Sequence, residues 1–147
     1  MQSSTDILII EDNPDDYEAC VSALKNDNNL VNKIIWCCTG DEGLDYLYGR
    51  GAHAENHPVR PCLIMLDLNL PGTDGREVLT QLKLDAHLSK IPVVVMTSSR
   101  DPDDIDACYS AGANSYVVKP VDLDGFIKAI TRLREYWFEI SVLPEVT

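Results

Sequence analysis

The chain has 147 residues, enough for one domain, with 45% hydrophobic and 24% charged residues, an ordinary globular balance. Its formal net charge of -12 and the lack of any Lys/Arg-rich stretch argue against nucleic-acid binding by the bulk surface. No apolar segment approaches the roughly 18 residues of a membrane span, and the polar start, Met1 to Asp6, is no signal peptide.

Strand and helix signals alternate along the chain. The first apolar run, Asp6–Glu11, reads as a buried strand ending in the acidic pair Glu11-Asp12. Asn13-Pro14-Asp15-Asp16 then starts a helix: Asn13 caps, Pro14 suits the first turn, and the acids suit the helix dipole. Its apolar stripe is Tyr17, Cys20, Val21 and Leu24. A second strand is expected over Lys33–Cys38 and a second helix from about Asp41 to Tyr48. Gly49–Pro61 lacks periodicity and reads as a surface loop. The third strand, Cys62–Asp67, ends in another carboxylate, and a helix from about Gly75 to Asp85 carries Val78, Leu79 and Leu82 on one face. The fourth strand is Pro92–Thr97. The helix after Asp101-Pro102 ends at Gly112, with Ile105, Cys108 and Tyr109 on one face. Ser115–Lys119 is the fifth strand. The last helix begins near Asp122 with Phe126, Ile127, Ile130, Leu133 and Trp137 at helical spacing.

This alternation predicts an α/β fold, a doubly wound five-stranded parallel sheet with five helices in the flavodoxin-like order 2-1-3-4-5. The whole chain, 1–147, reads as one domain, with a core over about 6–137 and a tail over 138–147. In that order strands one and three are neighbours, so Glu11, Asp12 and Asp67 meet at the carboxyl edge. Three carboxylates in one cleft repel and call for a cation, and Mg²⁺ is the usual hard cation where phosphate is involved. The same edge receives Thr97 from strand four and Lys119, followed by Pro120, from strand five. An Asp carboxylate attacks phosphorus to form an acyl phosphate, Mg²⁺ offsets charge in the transition state, a lysine adds a compact positive charge, and a hydroxyl bonds a phosphoryl oxygen. The residue types thus fit a magnesium-dependent, aspartate-phosphorylated switch.

Ile10-Glu11-Asp12-Asn13, Met65-Leu66-Asp67-Leu68-Asn69-Leu70-Pro71-Gly72, Val95-Met96-Thr97-Ser98 and Val118-Lys119-Pro120 together resemble the receiver domain of two-component response regulators, from about Asp6 to Trp137. The resemblance implies that Asp67 is the phosphoacceptor. Asp12, Asp67 and the backbone carbonyl of Asn69 would bind Mg²⁺, and Glu11 would act through metal-bound water. Thr97 would be the switch hydroxyl, Tyr116 the switch aromatic and Lys119 the partner of the phosphoryl group, with a cis Lys119–Pro120 bond. Tyr46-Leu47-Tyr48-Gly49-Arg50-Gly51, Gly75-Arg76-Glu77-Val78-Leu79 and Glu135-Tyr136-Trp137 are similar to the response regulators of cyanobacterial phytochromes. The implied partner is therefore a phytochrome histidine kinase, with another sensor kinase or a degenerate scaffold role as alternatives. The chain is expected to be a cytoplasmic phosphoacceptor and not an enzyme.

A haloacid-dehalogenase-type phosphatase would need an Asp where Asn69 stands, and a flavodoxin would need a phosphate cradle where Glu11 to Asp16 would repel phosphate. The five cysteines, Cys20, Cys37, Cys38, Cys62 and Cys108, show no Cys-x-x-Cys spacing and read as reduced core residues. His53, His57 and His87 fall in loops or at a helix end and read as ordinary surface residues. Beyond Leu133, Tyr136, Trp137, Phe138, Ile140, Val142 and Leu143 point in every direction along the chain. That pattern predicts a homodimer through helix five and the tail, with Tyr136, Trp137 and Phe138 in the interface. The alternative is a tail folded over its own domain.

Overall fold

The computed structural model describes residues 6–25, 33–51, 60–140 and 142–144. Five short strands form its centre: β1 (Ile7–Ile10), β2 (Ile34–Cys37), β3 (Leu63–Leu66), β4 (Val93–Thr97) and β5 (Ser115–Val118). All neighbours pair in parallel, in the order β2-β1-β3-β4-β5. The helices between and after them are α1 (Pro14–Leu24), α2 (Gly40–Tyr48), α3 (Gly75–Leu84), α4 (Pro102–Ala111) and α5 (Leu123–Glu135). This is the expected flavodoxin-like architecture. The strands are shorter than their apolar runs because the polar end residues leave the ladder to form the carboxyl edge. A 3-10 turn at Leu88–Lys90 and a π-helical turn at Tyr136–Ile140 add to the expected elements.

Successive strand residues face opposite sides, and the sheet is buried on both. Leu8, Ile10, Ile64, Leu66, Val93 and Val95 pack with α2 and α3 through Leu44, Leu47, Val78, Leu79 and Leu82. Ile7, Ile9, Leu63, Met65, Val94 and Met96 pack with α1 and α5 through Ala19, Cys20, Phe126 and Ile130. A strand buried on both faces cannot alternate polar and apolar residues, which is why β1 and β3 read as unbroken apolar runs.

Two helix faces differ from expectation. The buried stripe of α1 is Ala19, Cys20, Ala23 and Leu24; Tyr17 and Val21 are only partly buried. The two alanines let the helix lie close to the sheet, and Tyr17 stacks instead on Trp36 of the edge strand. In α4 only Cys108 is buried. The Tyr109 ring stays half exposed because its hydroxyl accepts the N–H of Tyr116 at the open edge of β5, 3.1 Å away. Four cysteines are buried, Cys38 is exposed, and all five are free thiols. Most of the Gly49–Pro61 segment, with His53 and His57, lies outside the described residues.

Candidate acidic metal and phosphoryl site

Three loops build the carboxyl edge. After β1 the chain turns at once into α1, whose Asn13 side chain accepts the N–H groups of Asp15 and Asp16. This cap fixes the start of α1, with Asp15 and Asp16, beside the strand ends. After β3, Asp67 is held by its N–H to the Ile10 carbonyl at 3.0 Å. The returning chain passes so close that a Cβ on Gly75 would sit 2.1 Å from the Asp67 carbonyl oxygen, so glycine is required there. After β5, the Lys119 N–H donates to the Thr97 carbonyl at 2.8 Å and its side chain reaches back across the edge.

Carboxylate oxygens of Glu11, Asp12 and Asp67 lie within 4.8 Å of one another. Glu11 and Asp67 are buried, with 1% and 7% exposure, and Asp12 is exposed. Lys119 Nζ donates to Asp67 Oδ2 at 3.0 Å, to Asp16 Oδ2 at 2.9 Å and to Glu11 Oε1. One ammonium thus serves three carboxylates, and Asp12 lies beside two of them. Burial, then the adjoining Asp67 carboxyl, pushes the Glu11 carboxyl up to about 8, against the opposing pull of Lys119. Burial works against the charge of Lys119, yet its hydrogen bonds to Glu11 and Asp16 hold the ammonium above its ordinary range. Glu11 Oε2 is buried with no hydrogen-bond partner among the described residues. An all-oxygen donor set with an excess of negative charge and an orphaned carboxylate oxygen fits a hard divalent cation.

Thr97 is fully buried at the end of β4, and its Oγ1 accepts the Ser99 N–H at 3.4 Å. Tyr116 is partly buried, and its hydroxyl donates to the Ser99 carbonyl at 3.0 Å. The Asn69 N–H points to Asp67 Oδ1 at 3.4 Å. The predicted residues of the edge are therefore brought together by the fold. The expected cis Lys119–Pro120 bond is not: it is trans, as are all peptide bonds among the described residues. That expectation rested on resemblance alone, and an X–Pro amide accepts either isomer. Trp137 packs into the core between the sheet and α1 and α5, and Phe138 lies partly buried against it, so of the three expected interface residues only Tyr136 is half exposed.

Two contributors escaped the sequence reading. Asp16 reads as a helix-dipole residue, and only its place one helical turn after Asp12 hints that it faces the same cleft. Arg76 stands in the sequence only within the Gly75-Arg76-Glu77-Val78-Leu79 run, with no role of its own. It grips Asp104 of α4 through Nε and Nη2, both at 2.8 Å, while Asp104 Oδ2 accepts the Ser99 hydroxyl at 2.6 Å.

The profile of the response regulator receiver domain matches residues 7–131. Response regulator Rcp1 of Synechocystis sp. is 38% identical over 138 residues, 94% of this chain and 92% of that protein. The phosphorylated cyanobacterial phytochrome response regulator RcpA superposes with a TM-score of 0.90 at 36% identity, over 97% of this chain and 100% of that one. The Mn²⁺-bound form of Rcp1 superposes at 0.89, also at 36% identity, over 95% and 99%. With the strand order, the acidic edge and the sequence match in agreement, the chain belongs to the response regulator receiver domain family.

Proposed function

We propose that Asp67 accepts a phosphoryl group from the phosphohistidine of a histidine kinase, and that the chain signals by changing its binding surface. The observation that carries this reading is the buried Asp67 carboxylate, bonded to Lys119 and clustered with Glu11 and Asp12. An Asp67 carboxylate oxygen forms the new bond to phosphorus, the donor's N–P bond breaks, and the imidazole nitrogen keeps the electron pair and takes up a proton. Lys119 leaves Asp67 for the incoming phosphoryl oxygens. Thr97 offers its hydroxyl to the same group and draws the loop at Ser99 with it, which frees Tyr116 to turn. Asp12, Asp67 and the Asn69 carbonyl would hold Mg²⁺, with Glu11 beside it, and the ion would neutralise the charge shared by carboxylate and phosphoryl group.

A phytochrome-type kinase is the donor best supported, because the relatives similar over nearly the whole chain include phytochrome response regulators. Five free thiols suit the reducing cytoplasm, and no helix among the described residues is long and apolar enough to cross a membrane. A homodimer belongs to the same reading, supported by exposed apolar side chains at Tyr136 and Val142. Incubation with Mg²⁺ and radiolabelled phosphorylated kinase, or with acetyl phosphate, tests the core of the proposal. Label should appear on the wild type and vanish in Asp67→Asn; a labelled Asp67→Asn protein overturns the assignment.

A further inference from the structure

The loop from Glu11 to Asp16 concentrates carboxylates that repel one another before any cation arrives. The Asn13 cap holds its far end, at Asp15 and Asp16. Its near end is held by a residue outside the loop. Trp36, in the edge strand β2, donates its indole Nε1–H to the Glu11 backbone carbonyl at 2.8 Å. Strand register places Trp36 beside Ile9, on the face that α1 covers. There its ring stacks on Tyr17, with centroids 4.1 Å apart and planes 6° from parallel. Tyr17 directly follows Asp16, which bonds Lys119. One side chain therefore touches both the residue that opens the acidic loop and the residue that directly follows its last carboxylate.

We infer that Trp36 is a positioning residue for the metal site, bracing Glu11, Asp12 and Asp16 in a cation-ready arrangement against their own repulsion. This rests on the metal reading above. Neither contact is needed to complete the β1–β2 ladder, which the backbone closes by itself through the Glu11 N–H to the Cys37 carbonyl at 3.0 Å. The indole bond acts on the loop just past that ladder. Losing it leaves the strand paired and lets Glu11 and Asp12 move out of their cation-ready places, so the cost falls on cation binding. Cost of this kind differs from that of a core residue, whose loss lowers stability and leaves affinity alone.

The test is Mn²⁺ affinity of the full chain by electron paramagnetic resonance, for wild type, Trp36→Phe and Tyr17→Leu. Trp36→Phe keeps an aromatic face for Tyr17 and loses only the N–H. Its affinity should fall about 3- to 10-fold, the loss expected from one hydrogen bond, with its metal-free melting temperature close to that of the wild type. Tyr17→Leu, which keeps the N–H and loses the stack, should fall less. The chain has two tryptophans, so the wild type gives a second measurement that needs no variant to fold. In a Mg²⁺ titration the indole N–H resonance of Trp36 should shift, and that of Trp137 should stay. Wild-type Mn²⁺ affinity in Trp36→Phe, or an unmoved Trp36 resonance at saturating Mg²⁺, overturns the inference. If the wild type itself binds neither ion, the metal reading falls first and takes the inference with it.

Discussion

Glu11 is a buried carboxyl whose natural neighbour, once a cation is bound, is positive, and whose neighbours without it are Asp67 and Lys119. In the metal-free protein its proton is held up to about 8, well above the ordinary carboxylate value. The folded state thus binds this proton more tightly than the unfolded chain. The associated stability is fully present below the unfolded value and is lost as pH rises through the folded one. Metal-free melting temperatures should therefore fall between about pH 5 and pH 8, and Glu11→Gln, neutral throughout, should flatten that slope. An unchanged slope in the variant would show that another group carries it. Adding Mg²⁺ should restore stability at the upper end, because a cation favours the ionised form. Asp12 makes the complementary case. It is exposed and close to two other carboxylates, so Asp12→Ala should raise metal-free stability slightly. It should also weaken the metal at least as much as the loss of an outer-shell partner, which costs about 10- to 100-fold. Calorimetric titration showing equal affinity in the two proteins would remove Asp12 from the site.

At the scale of elements, the loop between β4 and α4 is tied down from two directions. Arg76 of α3 holds Asp104 of α4 in a two-pronged ion pair, and Asp104 in turn holds the Ser99 hydroxyl. The Tyr116 hydroxyl rests on the Ser99 carbonyl. The hydrogen bonds from Arg76, then Ser99, keep the Asp104 carboxyl down at about 2, so it is ionised across the working pH range. If phosphorylation pulls Thr97 and its neighbours toward Asp67, this latch must open. Asp104→Asn should therefore favour the phosphorylated arrangement and tighten binding of a beryllofluoride phosphoryl mimic about 5-fold, the scale of one charge-assisted hydrogen bond. Equal affinity in wild type and variant would exclude the latch from the switch. The sequence made the elements and the strand-end residues legible because the central strands β1, β3 and β4 are buried on both faces and end at or just before a polar residue. It hid the latch and Asp16, since a charged residue on a helix reads the same whether it faces water or a carboxylate from a distant element. It also hid which side of α1 lies down: alanines carry little hydrophobic signal, yet Ala19 and Ala23 are what allow the close approach.

At the scale of the whole molecule, the chain must dispose of the apolar residues after Glu135. Sequence alone leaves too many for one small core, and the expected outcome is a dimer anchored on Trp137. The π-helical turn at Tyr136–Ile140 changes the geometry of that count. It continues α5 with a wider turn, and Trp137, Phe138 and Leu143 come back against the α1–α5 side of the sheet. Trp137 is 8% exposed, whereas Tyr136 at 49% and Val142 at 94% face outward. Trp137→Ala should then act on folding, lowering unfolding free energy by about 3–5 kcal/mol as large core truncations do. Truncation after Glu135 removes the same core residue, so it does not test association cleanly. Tyr136→Ala combined with Val142→Asp leaves Trp137 in place and removes only a half-exposed ring, edge-on to Trp137, and an exposed valine, so the melting temperature should fall by only about 2–5 °C. If the tail surface joins two copies, sedimentation velocity should show the wild type as a dimer and the double variant as a monomer. A wild type that sediments as a monomer both before and after phosphorylation would remove the dimer from the proposed function and leave Trp137 a core residue alone.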